Sequence, residues 1–400
     1  MNKSKVLGST LIISGTTIGA GMLALPLASA GIGFSTSLII MLALWALMAY
    51  TALLMIEVHQ HADHNATLHT LAKQFLGAKG KWVASFAMIF LFYALCAAYI
   101  AGGGAQFGER IASFTGLEVS NTASTVIFTL MVASIVTIGT ATVDKVNRVL
   151  FLIKLVAMAM VLTFLAPNVT ESYLLSMPVE QGLVIAAIPV IFTSFGFHGS
   201  IPTIVNYLDG HTPSLRKAIM IGSAIPLVVY VFWQIVTLGV VNQDALLDNQ
   251  GLSALISTLS AKVNVSSLGQ TIGVFADLAL LTSFLGVSLG LFEFLGDSIK
   301  RQSQTHSRVL VGLITFVPPM GFALFYPQGF IMALGYAAIS LVVLAIFLPI
   351  LMIKKARAQA KATHYQVMGG NLGLIATSTV GVLIIGAQIL ITAGVLPSLG

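Results

Sequence analysis

Long, continuous apolar runs follow one another along the whole sequence, and this feature leaves the chain few possible architectures. A helix needs about 20 apolar residues to cross a bilayer, and only helices and closed barrels satisfy the backbone there. The runs lack the alternation of barrel strands. With 57% hydrophobic and 8% charged residues, the chain also cannot cover a soluble core of this size. The sequence therefore predicts an all-α integral membrane protein.

Eleven transmembrane helices are predicted, and together they make residues 1–400 a single membrane domain. The spans cover residues 6–30, 33–57, 82–105, 121–142, 149–167, 182–205, 217–241, 269–297, 307–324, 328–352 and 371–395. The ninth span contains Pro318 and Pro319 and is the least secure. The longest loops, 58–81 and 242–268, are each long enough to hold a short amphipathic helix.

The basic residues lie mostly on one side of the predicted spans. Of the 19 Lys and Arg, 16 fall in segments on the side of the N-terminus. The positive-inside rule then places the N-terminus in the cytoplasm, and eleven spans place the C-terminus on the opposite side. This bias also accounts for the net charge of +6, so no nucleic-acid partner is expected.

Two of the spans carry residues that form helices poorly. The first contains the sequence GTTIGAG at residues 15–21, and the sixth contains FTSFGFHGS at 192–200, between Pro189 and Pro202. Several glycines with threonines in mid-membrane favour a break in each helix. Close packing of small residues at a helix interface is the alternative explanation for either stretch.

The spacing of the two stretches predicts an inverted repeat. Spans 1 and 6 are corresponding members of two five-helix units, over about 6–167 and 182–352, with 371–395 as an extra helix. Five is odd, so the second unit starts from the other side of the membrane. Paired interrupted helices at matching positions are typical of a transporter binding site.

A broken helix offers two kinds of free backbone group. Its new N-terminus presents N–H groups, which bind a carboxylate, and its new C-terminus presents C=O groups, which bind an ammonium or a metal cation. Two crossed breaks therefore suit an amino acid zwitterion. We expect the carboxylate near the N–H groups of Gly19 to Gly21 and the ammonium near the carbonyls of Phe192 to Phe195. The candidate substrate-binding residues at the breaks are Thr16, Thr17, Gly19, Ala20, Gly21, Phe192, Thr193, Ser194, Phe195, Phe197 and His198.

At these two stretches the sequence resembles a known family. Residues 15–26 (GTTIGAGMLALP) resemble the first-helix signature of the hydroxy and aromatic amino acid permeases, and residues 188–200 (IPVIFTSFGFHGS) resemble the sixth helix of that family. The similarity continues through 282–287 (TSFLGV) and 323–327 (ALFYP) and covers essentially the whole chain. The resemblance implies a leucine-transporter-type fold, with ten core helices in a 5+5 inverted repeat and helices 1 and 6 broken.

The same resemblance implies the activity of a secondary active transporter. It implies import of an aromatic amino acid, L-tyrosine first, by proton symport through the bacterial cytoplasmic (inner) membrane. A tryptophan or broader aromatic permease and a sodium-coupled symporter are the alternatives within this class. The expected partners are the small-molecule substrate and membrane lipid, with no metal site and no cofactor besides the coupling ion.

Two other classes of membrane protein lack support in the sequence. A channel, the alternative outside the transporter class, needs a pore lined by rings of charges or carbonyls, and no repeated element of that kind is present. An enzyme needs a carboxylate dyad, a metal cluster or a nucleophile–base set, and the few polar residues in the spans form none. We therefore expect no catalytic residues.

An aromatic substrate needs partners for its ring and its hydroxyl. In the implied fold helix 3 lines the site, so Tyr93 joins Phe192, Phe195 and Phe197 as an expected ring contact. A site built to bond a hydroxyl rejects the analogue that lacks it. The candidates for that bond are Gln234, His198 and Thr193, and the sequence does not choose between them. Packing alone is the alternative role of His198.

Four residues are candidates for ion coupling. Lys154 lies about a turn and a half into the fifth span, and the implied fold places such a lysine where sodium-coupled members bind sodium. Thr282 and Ser283 resemble the hydroxyl pair of that sodium site. Snorkelling to the interface is the alternative for Lys154. Asp277, also in a span, either bonds a neighbouring helix or carries a second proton.

The predicted topology can be tested with reporter fusions. A reporter that is active only in the cytoplasm should give no signal when it is fused after Gly400, because eleven spans end outside. The same reporter inserted after Lys73, in the loop 58–81, is the positive control. A strong signal from the Gly400 fusion would mean an even number of spans.

Overall fold

A computed structural model describes residues 3–176, 182–248, 251–262, 266–302, 308–359 and 365–399, and the regular secondary structure in these ranges is helical. The first seven helices are α1 (Lys3–Thr17), α2 (Gly21–Ser29), α3 (Gly33–His59), α4 (Leu68–Thr115), α5 (Asn121–Ile138), α6 (Thr140–Leu165) and α7 (Glu171–Leu175). The next five are α8 (Leu183–Ser194), α9 (Ile201–Tyr207), α10 (Thr212–Val240), α11 (Gln243–Asp248) and α12 (Leu252–Ala261). The last five are α13 (Ser266–Gln302), α14 (Arg308–Phe325), α15 (Phe330–Val342), α16 (Leu348–Gln359) and α17 (Gly370–Thr392).

The helices confirm a multi-pass membrane protein. Ten helical segments in the described ranges are long and apolar enough to cross a membrane, and the bent pair α1–α2 makes an eleventh. The sixth span is α8 followed by α9, and the tenth is α15 and α16, joined by a π-helical turn over Val343–Phe347. The division into two inverted repeats stays a prediction.

The predicted boundary between the fourth and fifth spans is wrong. Helix α5 ends at Ile138, Gly139 reverses the chain with φ of 147°, and α6 begins at Thr140, before the predicted start at 149. The first turns of α6 carry exposed charged residues, which is why hydropathy alone misplaced them. Lys154 consequently lies about 21 Å from the start of its helix, which is farther along the helix than a turn and a half.

Other differences concern the ninth span and the two long loops. Pro318 and Pro319 lie inside a continuous α14, as membrane helices tolerate when neighbours supply the freed backbone bonds. The ninth span was predicted from residue 307, which lies outside the described residues. The loop 58–81 contains the first helical turns of α4, which kinks at Gly77, and the loop 242–268 contains α11 and α12.

Both predicted helix breaks are confirmed. Helix α1 ends at Thr17 and α2 resumes at Gly21, with 52° between them. Helix α8 ends at Ser194, and α9 resumes at Ile201 after a short 3₁₀ turn. Because α2 packs against α8 and α1 against α9, the two breaks lie side by side.

A buried ion pair ties α3 to the end of α16. The Glu57 side chain is 1% exposed and accepts two hydrogen bonds from Arg357, Nε to Oε1 at 2.6 Å and Nη2 to Oε2 at 2.8 Å. The N–H of Val367, in the segment before α17, donates to the same carboxylate at 2.8 Å. Three elements far apart in sequence are thereby fixed to one side chain.

Removing the charge of Glu57 should destabilise the fold. Glu57→Gln leaves the Arg357 guanidinium without its counter-charge, so the free energy of unfolding should fall by about 3 kcal/mol. Thermal unfolding in detergent measures the change. Glu118→Gln, at an exposed position, is the matched control and should leave the melting temperature within error. Equal melting temperatures for the two variants would contradict this account of the pair.

Candidate functional site

The two breaks touch each other near the middle of the helix bundle. The Ser194 hydroxyl, at the end of α8, donates to the Gly21 carbonyl at 3.0 Å. A Cβ at Gly21 would lie 3.2 Å from Ser194 Cα, which is tighter than most real contacts. The glycine at position 21 thus allows the backbone of α2 to approach the end of α8.

Tyr230 of α10 lies between the carbonyl ends of the two broken helices. Its hydroxyl is 2.6 Å from the Thr17 carbonyl, the last of α1, and 2.9 Å from the Ser194 carbonyl, the last of α8. The Tyr230 side chain is fully buried. The C-terminal ends of α1 and α8 therefore converge on one hydroxyl group.

The N–H groups at the start of α2 are partly occupied. The Ala20 N–H donates to the Ser283 hydroxyl of α13 at 2.9 Å, so Ser283 lies at the break. In the described part of the chain, no hydrogen bond is made by the N–H groups of Gly19 and Gly21. Of the three expected carboxylate ligands, the structure leaves two available.

Lys154 reaches the same break from α6. Its ammonium donates to the Ile18 carbonyl at 3.0 Å and to the Thr282 hydroxyl at 3.2 Å, and it lies 4.6 Å from the Phe151 ring centroid. The residue is 2% exposed, so its side chain does not snorkel. Among the described residues no carboxylate forms an ion pair with it. A cation thus lies at the carbonyl end of α1, held by neutral oxygens.

The three phenylalanines of the sixth span are buried at or beside the second break. Phe192, Phe195 and Phe197 are all buried, at 1% exposure or less. Phe195 meets the Tyr230 ring edge-on at 5.3 Å between centroids, and Phe197 lies 5.1 Å from the His198 ring. This geometry is suited to a flat apolar group once the helices leave room for it.

Two of the three candidate hydroxyl partners keep a polar atom free. His198 Nε2 lies 2.8 Å from the Thr51 hydroxyl, and Nδ1 is buried with no partner in the described residues. Gln234 Nε2 donates to the Ser29 hydroxyl at 2.6 Å, and Oε1 is likewise unpartnered. The Thr193 hydroxyl is already placed against two backbone carbonyls, both at 3.0 Å.

Comparison with known proteins points to an amino acid permease, as the two helix breaks do. The model of the tryptophan/tyrosine permease family matches residues 2–388. Tyrosine-specific transport systems 1 and 2 of Haemophilus influenzae are 44% and 42% identical to the chain, over 98% and 99% of it and 99% of each relative. Glutamine transporter 2 of Aliivibrio fischeri is 33% identical over 96% of the chain and 99% of that relative.

The chain belongs to the tryptophan/tyrosine permease family. It is therefore a membrane transporter and not an enzyme. The broken helices, the buried Lys154 and the buried phenylalanines belong to one candidate permease site, to which α1, α2, α6, α8, α10 and α13 contribute.

The structure does not bring three of the predicted residues of this permease to the break. The Tyr93 hydroxyl donates to the Ile314 carbonyl of α14 at 2.7 Å, so its polar end is directed at a different helix. Thr16 is exposed, and its hydroxyl bonds the preceding turn. Asp277 accepts a 2.8 Å hydrogen bond from Arg110 Nε of α4, which corresponds to the neighbouring-helix alternative.

One residue at the breaks, Tyr230 of α10, was not predicted from the sequence. Its hydroxyl contacts the last carbonyls of both interrupted helices, although it lies in the seventh span, in which only Gln234 was a candidate.

Open space lies beside two glycines close to the breaks. A Cβ at Gly199, before α9, or at Gly286 of α13 would meet no heavy atom within 4 Å. The exposed residues that follow them include Thr203, Asn206 and Tyr207 on α9 and Glu293 and Asp297 on α13.

A bulkier residue at Gly19 should block the site. A Cβ there would lie 2.6 Å from the Ser283 hydroxyl, so Gly19→Val should separate α2 from α13 and abolish binding of L-tyrosine, the expected substrate. Gly386→Val on α17, where a Cβ meets nothing within 4 Å, is the matched control. Binding to purified protein and gel filtration measure affinity and folding. Unchanged affinity in a folded Gly19→Val protein would place the substrate elsewhere.

Proposed function

We propose that the protein imports L-tyrosine by proton symport through the bacterial cytoplasmic membrane, with its N-terminus in the cytoplasm and its C-terminus in the periplasm. The names of the two Haemophilus relatives support tyrosine as the substrate. The bias of the basic residues supports the orientation. A tryptophan or broader aromatic permease is the second candidate, because the family model covers both amino acids.

The free backbone groups support one orientation of the substrate. The carboxylate binds the N–H groups of Gly19 and Gly21 at the positive end of α2. The ammonium binds at the carbonyl end of α8, where Ser194 is the last residue. The ring then lies toward Phe195 and Phe197, and charge and shape are complementary at each end.

The phenol hydroxyl of the substrate needs a buried polar partner. Oε1 of Gln234 and Nδ1 of His198 each lack one, and an unpartnered buried atom is costly unless a ligand satisfies it. A substrate hydroxyl that reaches either atom removes that cost. The amino acid phenylalanine has no hydroxyl, so as a substrate it would leave the cost in place. A glutamine transporter is 33% identical to this chain, so competition between L-tyrosine and L-glutamine tests the fit of the ring directly.

The position of the Lys154 ammonium is the main support for proton coupling. It bonds the Ile18 carbonyl and the Thr282 hydroxyl, two neutral oxygens of the kind that bind a metal cation. A protonated Lys154 therefore holds α1 to α13 through its own charge. Loss of the proton weakens that tie and lets α1 move. The substrate position between the breaks then opens toward the space beside Gly199 and Gly286.

Sodium coupling is the competing mechanism. A sodium ion at this position would need the Ile18 carbonyl and the hydroxyls of Thr282 and Ser283 as ligands. In the structure Lys154 occupies the first two, and the Ser283 hydroxyl accepts from the Ala20 N–H. These contacts support the proposal that the Lys154 ammonium takes the place of a sodium ion.

Replacing Lys154 should uncouple transport from the proton gradient. Lys154→Ala should lose accumulation of labelled tyrosine in proteoliposomes under an imposed pH gradient without sodium, because no group remains to carry the proton. Binding and exchange should persist, since the substrate contacts lie on α2 and α8. Lys145→Ala, an exposed lysine on the same helix, is the matched control and should accumulate tyrosine like the parent.

Two outcomes would contradict this proposal. If Lys154→Ala accumulates tyrosine as steeply as the parent, the lysine plays no part in coupling. If the parent itself accumulates tyrosine only with sodium, then Thr282 and Ser283 act in sodium binding and the proton mechanism fails.

A further inference from the structure

The hydroxyl of Tyr230 has one hydrogen and two carbonyl neighbours. It lies 2.6 Å from the Thr17 oxygen and 2.9 Å from the Ser194 oxygen. A phenol has one hydrogen to donate, so the two carbonyl oxygens share it. The shorter contact, to Thr17, takes the larger part, and the Ser194 oxygen is left without a full hydrogen bond.

Two acceptor oxygens at that distance repel each other unless a donor joins them. The Ser194 oxygen is also the last carbonyl of α8, and the Thr17 oxygen is the last of α1, so both carry the negative end of a helix dipole. Tyr230 is fully buried, so no bulk water supplies the missing hydrogen. The arrangement is therefore one hydrogen-bond donor short, and the helix dipoles favour a positively charged one.

We propose that Tyr230 positions the ammonium group of the substrate, which donates to the phenol oxygen of Tyr230 and to the carbonyl oxygen of Ser194. This rests on the proposed function, because it assumes an amino acid at the two breaks. The phenol keeps its own hydrogen on the Thr17 carbonyl and accepts from the ammonium. Tyr230 is thus a positioning residue that links the end of α1 to the substrate.

Surrounding contacts keep the phenol in this role. The edge-on contact with Phe195 fixes the plane of the Tyr230 ring. The Lys154 ammonium is directed at the next carbonyl of α1, that of Ile18, and is held there by Thr282. In the described part of the chain, Tyr230 is the one side chain that donates a hydrogen bond to the Ser194 oxygen. An ammonium group of the substrate would therefore be the second donor to this oxygen.

The test measures the coupling between the phenol hydroxyl and the substrate ammonium. L-Tyrosine, tyramine and 3-(4-hydroxyphenyl)propionic acid, which lacks the ammonium, compete with labelled L-tyrosine for the parent and for Tyr230→Phe. We expect Tyr230→Phe to bind L-tyrosine and tyramine about tenfold to a hundredfold more weakly, since a hydrogen bond to a charged group is lost. Its affinity for the propionic acid should stay within about threefold of the parent, because that ligand has no ammonium to lose.

The control is Tyr326→Phe, which removes a phenol hydroxyl at an exposed position and should change none of the three affinities. Equal weakening of all three ligands in Tyr230→Phe would mean that the phenol only stabilises the fold, and the proposal would be overturned. A parent that binds none of these ligands would instead contradict the proposed function.

A second measurement does not depend on the folding of Tyr230→Phe. Incorporation of 3-fluorotyrosine at position 230 keeps the hydroxyl and adds a ¹⁹F label beside it. L-Tyrosine and tyramine should shift the ¹⁹F resonance, because their ammonium reaches the phenol oxygen, and the propionic acid should leave it near its unliganded position. Identical shifts with all three ligands would overturn the proposal.

Discussion

The rest of the structure depends on how unpaired backbone groups are satisfied in the middle of a membrane. A break in a spanning helix exposes N–H and C=O groups where no lipid can bond them, and each unsatisfied group costs several kcal/mol. Here three side chains from three other helices contact the breaks. Tyr230 contacts the carbonyl ends of α1 and α8. Lys154 donates to the Ile18 carbonyl, and Ser283 accepts from the Ala20 N–H. The packing of α6, α10 and α13 around the broken spans follows from these contacts.

The same contacts link the proposed ion and substrate positions. The carbonyls of Thr17 and Ile18 are consecutive, and they face Tyr230 and Lys154 respectively. Any change that frees or binds one of these carbonyls acts on the end of α1, where the other is also held. A proton on Lys154 and an ammonium beside Tyr230 would therefore affect the same helix end, which gives a short physical connection between coupling ion and substrate.

The helical spans could be predicted from the sequence to a large extent, because the bilayer thickness sets the length of an apolar span. The breaks could be predicted because Gly15–Gly21 and the stretch around His198 combine several poor helix formers in mid-span. The start of α6 could not, since exposed charges on its first turns read as a loop although they are helical. That error placed Lys154 too near the start of its helix, and the structure shows its side chain buried in the protein, at 2% exposure.

The details of the site were less predictable for a different reason. Which face of a helix points at a break depends on its rotation, which the sequence of one chain does not show. Tyr93 lies in the third span as predicted, but its hydroxyl donates to the Ile314 carbonyl of α14 and not to a group at the breaks. Asp277 read equally well as a proton carrier and as a structural carboxylate until its contact with Arg110 was seen.

The central claim is that the two breaks together hold an amino acid. A structure of the purified protein determined by cryo-electron microscopy with saturating L-tyrosine tests it most directly. We predict ligand density between α2 and α8, with the carboxylate at the N–H groups of Gly19 and Gly21 and the ring toward Phe195. Ligand density only in a separate cavity of about 140 Å³, lined by Ala186, Tyr336 and Gln388, with no ligand at the breaks, would contradict the account.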